Sequence, residues 1–232
     1  MKIDNLSVYI YIPTYKRPEY LKACLEHMEK AQEYSSGVKF FIINDGSPDD
    51  GTKEILEGCK LNKVIINHEE NQGLRNTTID FLDIAVKERP DFICKVDNDF
   101  MVPKNWLNNL FEVFNTTDVD VLSPDYAPSH PAYTVATGDI ENKGYRPSPT
   151  VGMWLMRTSI LDDMVFDRTS LSGIRGSIYI MYQIVAEKEP NIGFTTKVVG
   201  NNYGHWSGNH KKTIKTKEYK DYYKEVGRAV SW

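Results

Sequence analysis

Two carboxylates two residues apart, Asp97 and Asp99, stand directly after the apolar run Phe92-Ile93-Cys94-Lys95-Val96. The run reads as a short buried strand, so Asp97-Asn98-Asp99 falls at a strand end. Hard oxygens in that position suit Mg2+ or Mn2+, which takes few protein carboxylates and completes its shell with water and substrate phosphate oxygens. Acidic triplets also close ordinary turns and cap helices, so the rest of the chain has to decide between the two readings.

The elements that would position the triplet follow from alternating β-rich runs and helical spacings, which predict a mainly parallel sheet covered by helices on both faces. Residues 7–12, 38–43 and 63–67 read as strands, like the one ending at Val96. Helices are expected from Pro18 to about Tyr34, over 52–59, over 74–88 with Leu74, Ile79, Leu82 and Val86 on one face, and from Pro103 to about Phe114. The second half is less regular. Strands are expected at 120–123 and 150–156, a Pro- and Tyr-rich stretch lies between them, and helices are expected near 158–164 and 174–188. Ligands of open α/β sheets sit beyond the carboxyl ends of the strands, which directs attention to Pro13-Thr14-Tyr15, Asp45-Gly46-Ser47 and Asp97-Asn98-Asp99.

Composition sets the outer limits. The chain has 232 residues, 41% hydrophobic and 26% charged, as in folded water-soluble proteins, and no run approaches the roughly 18 uncharged apolar residues of a membrane span. No secretory signal is recognisable at the N-terminus, so the cytoplasm is the expected compartment. Cys24, Cys59 and Cys94 are odd in number and widely spaced, which suggests buried thiols rather than disulfides or a zinc site. Net charge is −4, but residues 211–232 hold seven basic side chains against three acidic ones. Basic and aromatic residues interleave there. An amphipathic helix docking its Tyr face accounts for this pattern, and contact with an anionic surface, polymer or modified nucleic acid is the other reading.

In order along the chain, Tyr11-Ile12-Pro13-Thr14-Tyr15-Lys16-Arg17-Pro18, Ile43-Asn44-Asp45-Gly46-Ser47 with Asp49, Gly51 and Thr52, Asn71 and Gly73 with Arg75 and Asn76, and Val96-Asp97-Asn98-Asp99 resemble the GT-A glycosyltransferases of the family 2 type. The likeness is specific over about residues 6–110 and looser to about 210. It implies a single GT-A domain over 1–232, with a nucleotide-binding half at 1–102, a donor-sugar and acceptor half at 103–210 and the basic tail at 211–232. It also implies transfer of a sugar from a nucleoside-diphosphate sugar, most simply a UDP-sugar, to a hydroxyl on a glycan or other polymer.

Carried over position by position, the resemblance places Pro13, Thr14, Tyr15 and Arg17 at the nucleotide edge and Asp45 at the base or ribose, with Gly46 and Ser47 turning the chain past it. Asn71, Gly73 and Arg75 match a segment near the nucleotide or its phosphates. Asp99 matches the metal ligand, and Asp97 the carboxylate that meets ribose or metal-bound water. A third metal ligand is implied at His205, for which the alternative is a packed or capping histidine, and Lys211 and Lys212 are placed to meet the leaving diphosphate as point charges. Gly152 and Trp154, in Val151-Gly152-Met153-Trp154-Leu155-Met156, match the segment lining the donor sugar, where Trp154 is either an aromatic platform or a core residue.

The resemblance departs at the catalytic base. Inverting members carry a Glu-Asp or Asp-Asp pair where this chain has Gly173-Ile174-Arg175-Gly176-Ser177-Ile178-Tyr179. The expectation is therefore a retaining reaction with the leaving phosphate as base, or a base displaced to Asp162, Asp163 or Asp167, with Arg175 gripping an anionic group of donor or acceptor. Two further classes remain. A nucleotidyltransferase shares layout and metal, although Pro13 to Pro18 lacks the glycines of its phosphate loop, and a non-catalytic sugar-nucleotide or glycan-binding module would account for the missing acid pair.

Overall fold

Strand residues alternate between two apolar clusters, and this alternation explains why helices cover both faces of the sheet. The computed structural model describes residues 5–124, 152–166, 168, 176–195 and 201–202. Strands β1 (Val8–Thr14), β2 (Val38–Asn44), β3 (Lys63–Asn67), β4 (Phe92–Val96), β6 (Val121–Pro124), β7 (Met153–Arg157) and β8 (Ile192–Thr195) form one seven-stranded sheet in the order β3-β2-β1-β4-β7-β6-β8. A second pairing joins β5 (Phe100–Met101) to β9 (Asn201–Asn202).

Val8, Ile10, Ile12, Phe40 and Ile42 pack with Leu21, Leu25 and Met28 of α1 (Pro18–Ala31), Leu56 of α2 (Thr52–Gly58) and Leu107, Leu110 and Phe111 of α4 (Trp106–Thr116). The opposite residues Tyr11, Phe41, Ile43 and Ile93 pack with Ile79, Phe81 and Leu82 of α3 (Leu74–Glu88) and Ile180, Met181 and Ile184 of α5 (Gly176–Lys188). Tyr11 stacks on Phe81 at 4.9 Å and gives its hydroxyl hydrogen to Thr77 Oγ1 at 2.7 Å. All three cysteines are buried thiols, and burial pushes Cys24 and Cys94 well above the ordinary thiol range.

The sheet is mostly parallel, as expected: β1, β2, β3 and β4 are mutually parallel and β6 is parallel to β8, with β7 inserted antiparallel to both β4 and β6. Two helices differ from the sequence expectation. The helix expected from Pro103 starts at Trp106. Asn105 lies in the left-handed region at φ 56, and its amide is taken by the Ala31 carbonyl at the end of α1, so a tertiary contact delays the first helical turn. Of the helix expected near 158–164 only a 3-10 turn, Thr158–Leu161, forms. Among the described residues no helix is long and apolar enough to cross a membrane.

Candidate functional site

The parallel strands β1, β2 and β4 end at the same edge of the sheet, and hydrogen bonds between their exits gather the polar residues there. Asn98 gives its side-chain Nδ2–H to Thr14 Oγ1 at 3.1 Å, tying the β4 exit to the β1 exit. Both residues are buried, so the middle residue of the acidic triplet is a strut. The Lys16 amide donates to Ser47 Oγ at 2.9 Å, and the Asp45 amide to the Thr14 carbonyl at 2.8 Å, which joins the β2 exit to the same edge. Pro13 and Tyr15 are half-buried beside them.

Each acid of the triplet is held by a cation of the protein. Asp99 Oδ2 accepts from Arg17 Nη2 at 2.7 Å. Arg17 caps α1 in the left-handed conformation, φ 61, and its guanidinium lies 4.3 Å from the Tyr20 ring centroid, so backbone shape and cation–π stacking together aim it at Asp99. Asp97 Oδ1 contacts the ammonium of Lys95, whose side chain is 2% exposed. Lys95 lies in register with Tyr11 on one side and Trp154 on the other, so its stem runs between buried aromatic residues to reach the strand end. Burial pushes the Asp97 carboxyl above the usual carboxylate range, against the pull of Lys95 and with a further push from Asp99.

This donor set fits a hard divalent cation. Two carboxylates at a strand end, partly buried and close enough for Asp99 to raise the proton affinity of Asp97, gain from a shared 2+ charge. Asp97 and Asp99 are the acids the described residues would offer it, and no group of three or more potential ligands converges among those residues. His205, expected as a third ligand, lies outside the described residues, as do Arg175, Lys211, Lys212 and Asp167.

Asp45 is a cross-link as much as a candidate reader of the donor. It is 4% exposed, and its Oδ1 accepts from the Gln72 amide at 2.9 Å while Oδ2 accepts from the Gly73 amide at 2.8 Å. Gly73, at φ 85, is the N-cap of α3, so the carboxylate also faces the positive end of that helix. His68 Nδ1 completes the set, 3.0 Å from Oδ1. Asn71 and Arg75 flank this anchored turn, Asn71 exposed and Arg75 half-buried on the first turn of α3. Gly46, at φ 67, lets the two loops touch, since a Cβ there would lie 2.4 Å from the Glu70 carbonyl carbon and 2.6 Å from the Asn71 nitrogen. Gly46→Ala is expected to cost about 3 kcal/mol from the left-handed backbone and the overlap together. Urea unfolding measures this, and a loss below about 1 kcal/mol would mean that the loop yields.

Burial and place in the sheet decide two positions for which the sequence left alternatives. Trp154 is 2% exposed and belongs to the core cluster with Tyr11 and Ile93, so it is a packing residue rather than a sugar platform. Gly152, two residues earlier, keeps a site connection, since its carbonyl accepts the Asp97 amide at 2.6 Å. Asp162 pairs with Arg89, which precedes β4, whereas Asp97 follows it. A five-residue strand spans roughly 17 Å, so Asp162 sits at the wrong end of the sheet to serve as a displaced base. Asp163 is exposed.

Two site residues escaped the sequence reading. Lys95 is visible in hindsight, because a lysine inside an apolar strand two residues before an aspartate shares its face. His68 carries no comparable signal, since the carboxylates that meet it come from β2 and α3.

The family model described as Glycosyl transferase family 2 matches residues 9–164. A protein called Glycosyltransferase GlyG, from Streptococcus pneumoniae serotype 4, is 29% identical over 119 residues, covering 50% of this chain and 38% of its own. The mannosyltransferase PcManGT from Pyrobaculum calidifontis, solved with GDP-Man and Mn2+, superposes with a TM-score of 0.68 at 15% identity over 90% of this chain and 60% of that one. S. aureus TarS 1-349 in complex with UDP-GlcNAc gives 0.62 at 18% identity over 82% and 56%. The chain thus spans less than two thirds of the length of each of these relatives.

Proposed function

Because the chain belongs to glycosyl transferase family 2 and is a glycosyltransferase of the GT-A fold, we propose that it moves a sugar from UDP-sugar to a hydroxyl of a glycan or other polymer, with Mn2+ or Mg2+. The observation that carries this reading is the meeting of the β1, β2 and β4 exits around Asp97 and Asp99, joined through Asn98 to Thr14 and through Lys16 to Ser47. When bound, the ion neutralises charge that develops on the leaving diphosphate. Asp97 and Asp99 would hold it. Arg17 adds a fork of N–H donors beside them, suited to phosphate oxygens. On the family resemblance His205 is assigned to the ion as a third ligand, Lys211 and Lys212 to the diphosphate, and Arg175 to an anionic group of donor or acceptor.

Uridine is favoured by the state of Asp45. Of about four acceptor positions on a carboxylate, three are taken by Gln72, Gly73 and His68, which among the described residues leaves one, on Oδ2. One acceptor matches the single imide N–H of uracil, whereas the adjacent N1–H and N2–H of guanine ask for both oxygens of a carboxylate. Solved neighbours have been seen with either nucleotide, UDP-GlcNAc in TarS and GDP-Man in PcManGT. Residues 173–179 carry no acid, so the same reading takes the leaving phosphate as base for the acceptor hydroxyl, the retaining course.

Thermal unfolding with UDP-, GDP-, CMP- and dTDP-sugars, each with Mn2+ or EDTA, tests the reading. A UDP-sugar at a hundredfold excess over its Kd is expected to add about 2.7 kcal/mol of stability with Mn2+, and much less with EDTA. Stabilisation by GDP-sugars alone would overturn the uridine assignment. No shift with any donor would turn attention to a glycan-binding role.

A further inference from the structure

The turn that carries Asp45 is tied to a line of charged side chains running away from the donor edge. His68, one residue past β3, continues the β2–β3 ladder by giving its amide hydrogen to the Asn44 carbonyl at 2.9 Å, so its backbone is fixed. Its ring then bridges two acids. Nδ1 is 3.0 Å from Asp45 Oδ1, and Nε2 is 3.2 Å from Asp80 Oδ2, with 9% of the side chain exposed. Asp80, in the second turn of α3, presents its other oxygen to Arg168 Nη1 at 2.7 Å, and Arg168 Nη2 meets Asp83 one turn on. The line therefore runs Asp45, His68, Asp80, Arg168, Asp83, with charges alternating when His68 is protonated.

We propose that His68 is a positioning residue for the donor nucleotide: through Nδ1 it sets the orientation of the Asp45 carboxylate, and through Nε2 it is itself oriented by Asp80. A carboxylate oxygen only accepts, so both ring contacts are hydrogen bonds at once when both nitrogens carry hydrogen. Asp80, clamped by Arg168, holds the ring so that Nδ1 faces Asp45. The backbone amides of Gln72 and Gly73 hold the carboxylate from one side only, that of the turn leading into α3. His68, half-buried and held at its own amide, supplies a third point from the end of β3. It occupies a second position on Oδ1 and so leaves the remaining acceptor position on Oδ2. The proposal rests on the assignment of Asp45 to the donor base made above.

Three substitutions separate positioning from simple packing. The Asn amide nitrogen reaches about as far as Nδ1 and the Gln amide nitrogen about as far as Nε2, so His68→Asn keeps the arm toward Asp45 while His68→Gln keeps the arm toward Asp80. His68→Ala keeps neither. Binding of UDP with Mn2+ is measured by titration calorimetry on the full chain, alongside the ligand-free Tm of each variant and an Asp45→Asn reference. His68→Ala and His68→Gln are expected to weaken UDP by about tenfold, and His68→Asn to recover affinity to within about threefold of the parent, with all three melting alike. Equal loss in Asn and Gln variants that follows a shared fall in Tm would overturn the proposal in favour of packing. Unchanged affinity in every His68 variant, with Asp45→Asn still weakened, would overturn the proposal and leave the Asp45 assignment standing. Unchanged affinity in Asp45→Asn would overturn both.

Discussion

Asp99→Ala is expected to abolish the Mn2+-dependent part of donor binding and to lower kcat/KM by about 10^2- to 10^3-fold, the scale for removing one preorganised electrostatic contact at a reacting centre. The effect should be large because the described residues place only two carboxylates at this strand exit, and removing one halves the anionic oxygens available to an ion there. Stability should change little. Arg17 loses its contact with Asp99, but the Arg17 side chain is 32% exposed and stacks on Tyr20, so water and the ring retain it. Asp99→Asn distinguishes the two jobs of the side chain, since an amide oxygen still accepts from Arg17 yet is a poor ligand for Mn2+. Donor stabilisation measured with Mn2+ and with EDTA should coincide in both variants. A surviving Mn2+-dependent shift in Asp99→Ala would place any ion elsewhere.

Lys95→Met is expected to destabilise the fold by about 3 kcal/mol near neutral pH, toward the low end of the cost of breaking a buried ion pair, because the Asp97 side chain is 26% exposed. Methionine suits the space between Tyr11 and Trp154, so the loss comes from the abandoned carboxylate rather than a cavity. The Asp97 carboxyl already sits above its ordinary value, and Lys95 is what pulls it down. Without the lysine it rises further. A carboxyl whose folded pKa exceeds its unfolded value favours the folded state at low pH and loses that advantage as pH rises through the folded pKa, so the penalty should be larger at pH 8 than at pH 5. Lys95→Met combined with Asp97→Asn removes both charges and should recover most of the stability without recovering activity. A double variant as unstable as the single one would show that Lys95 acts by packing.

Much of this was legible in the chain because the strand exits advertise themselves. An apolar run that stops at Thr14, Asp45 or Asp97 marks both the strand and its end, and the parallel order brings those ends to one edge. What stayed hidden depends on partners distant in sequence. Nothing in Met153 to Arg157 distinguishes a strand antiparallel to β4 from a parallel one, and Trp154 has the same letter whether it faces a sugar or the core. The left-handed backbone at Lys16 and Arg17 has no glycine to announce it, yet it is what turns Arg17 onto Asp99. His68 is a single polar residue after a strand, and its meaning lies in Asp45 and Asp80, which fold onto it from either side.

The antiparallel insertion of β7 also has a consequence for the order in which the protein can be made. Strands β1 to β4 are complete once Val96 has been synthesised, and they pair with one another as a contiguous unit. The far side of β4, every residue of which is buried in the finished sheet, has no neighbour until Met153 to Arg157 follow. At about 5–20 residues per second that edge stays open for roughly 3 to 12 s on a translating ribosome. During that interval a bare apolar strand is available to any other chain with a matching edge. A nascent chain stalled between these two points should therefore be the most chaperone-dependent form of the protein, and the acidic triplet at the end of β4 would reach its final setting only when Gly152 arrives to accept the Asp97 amide.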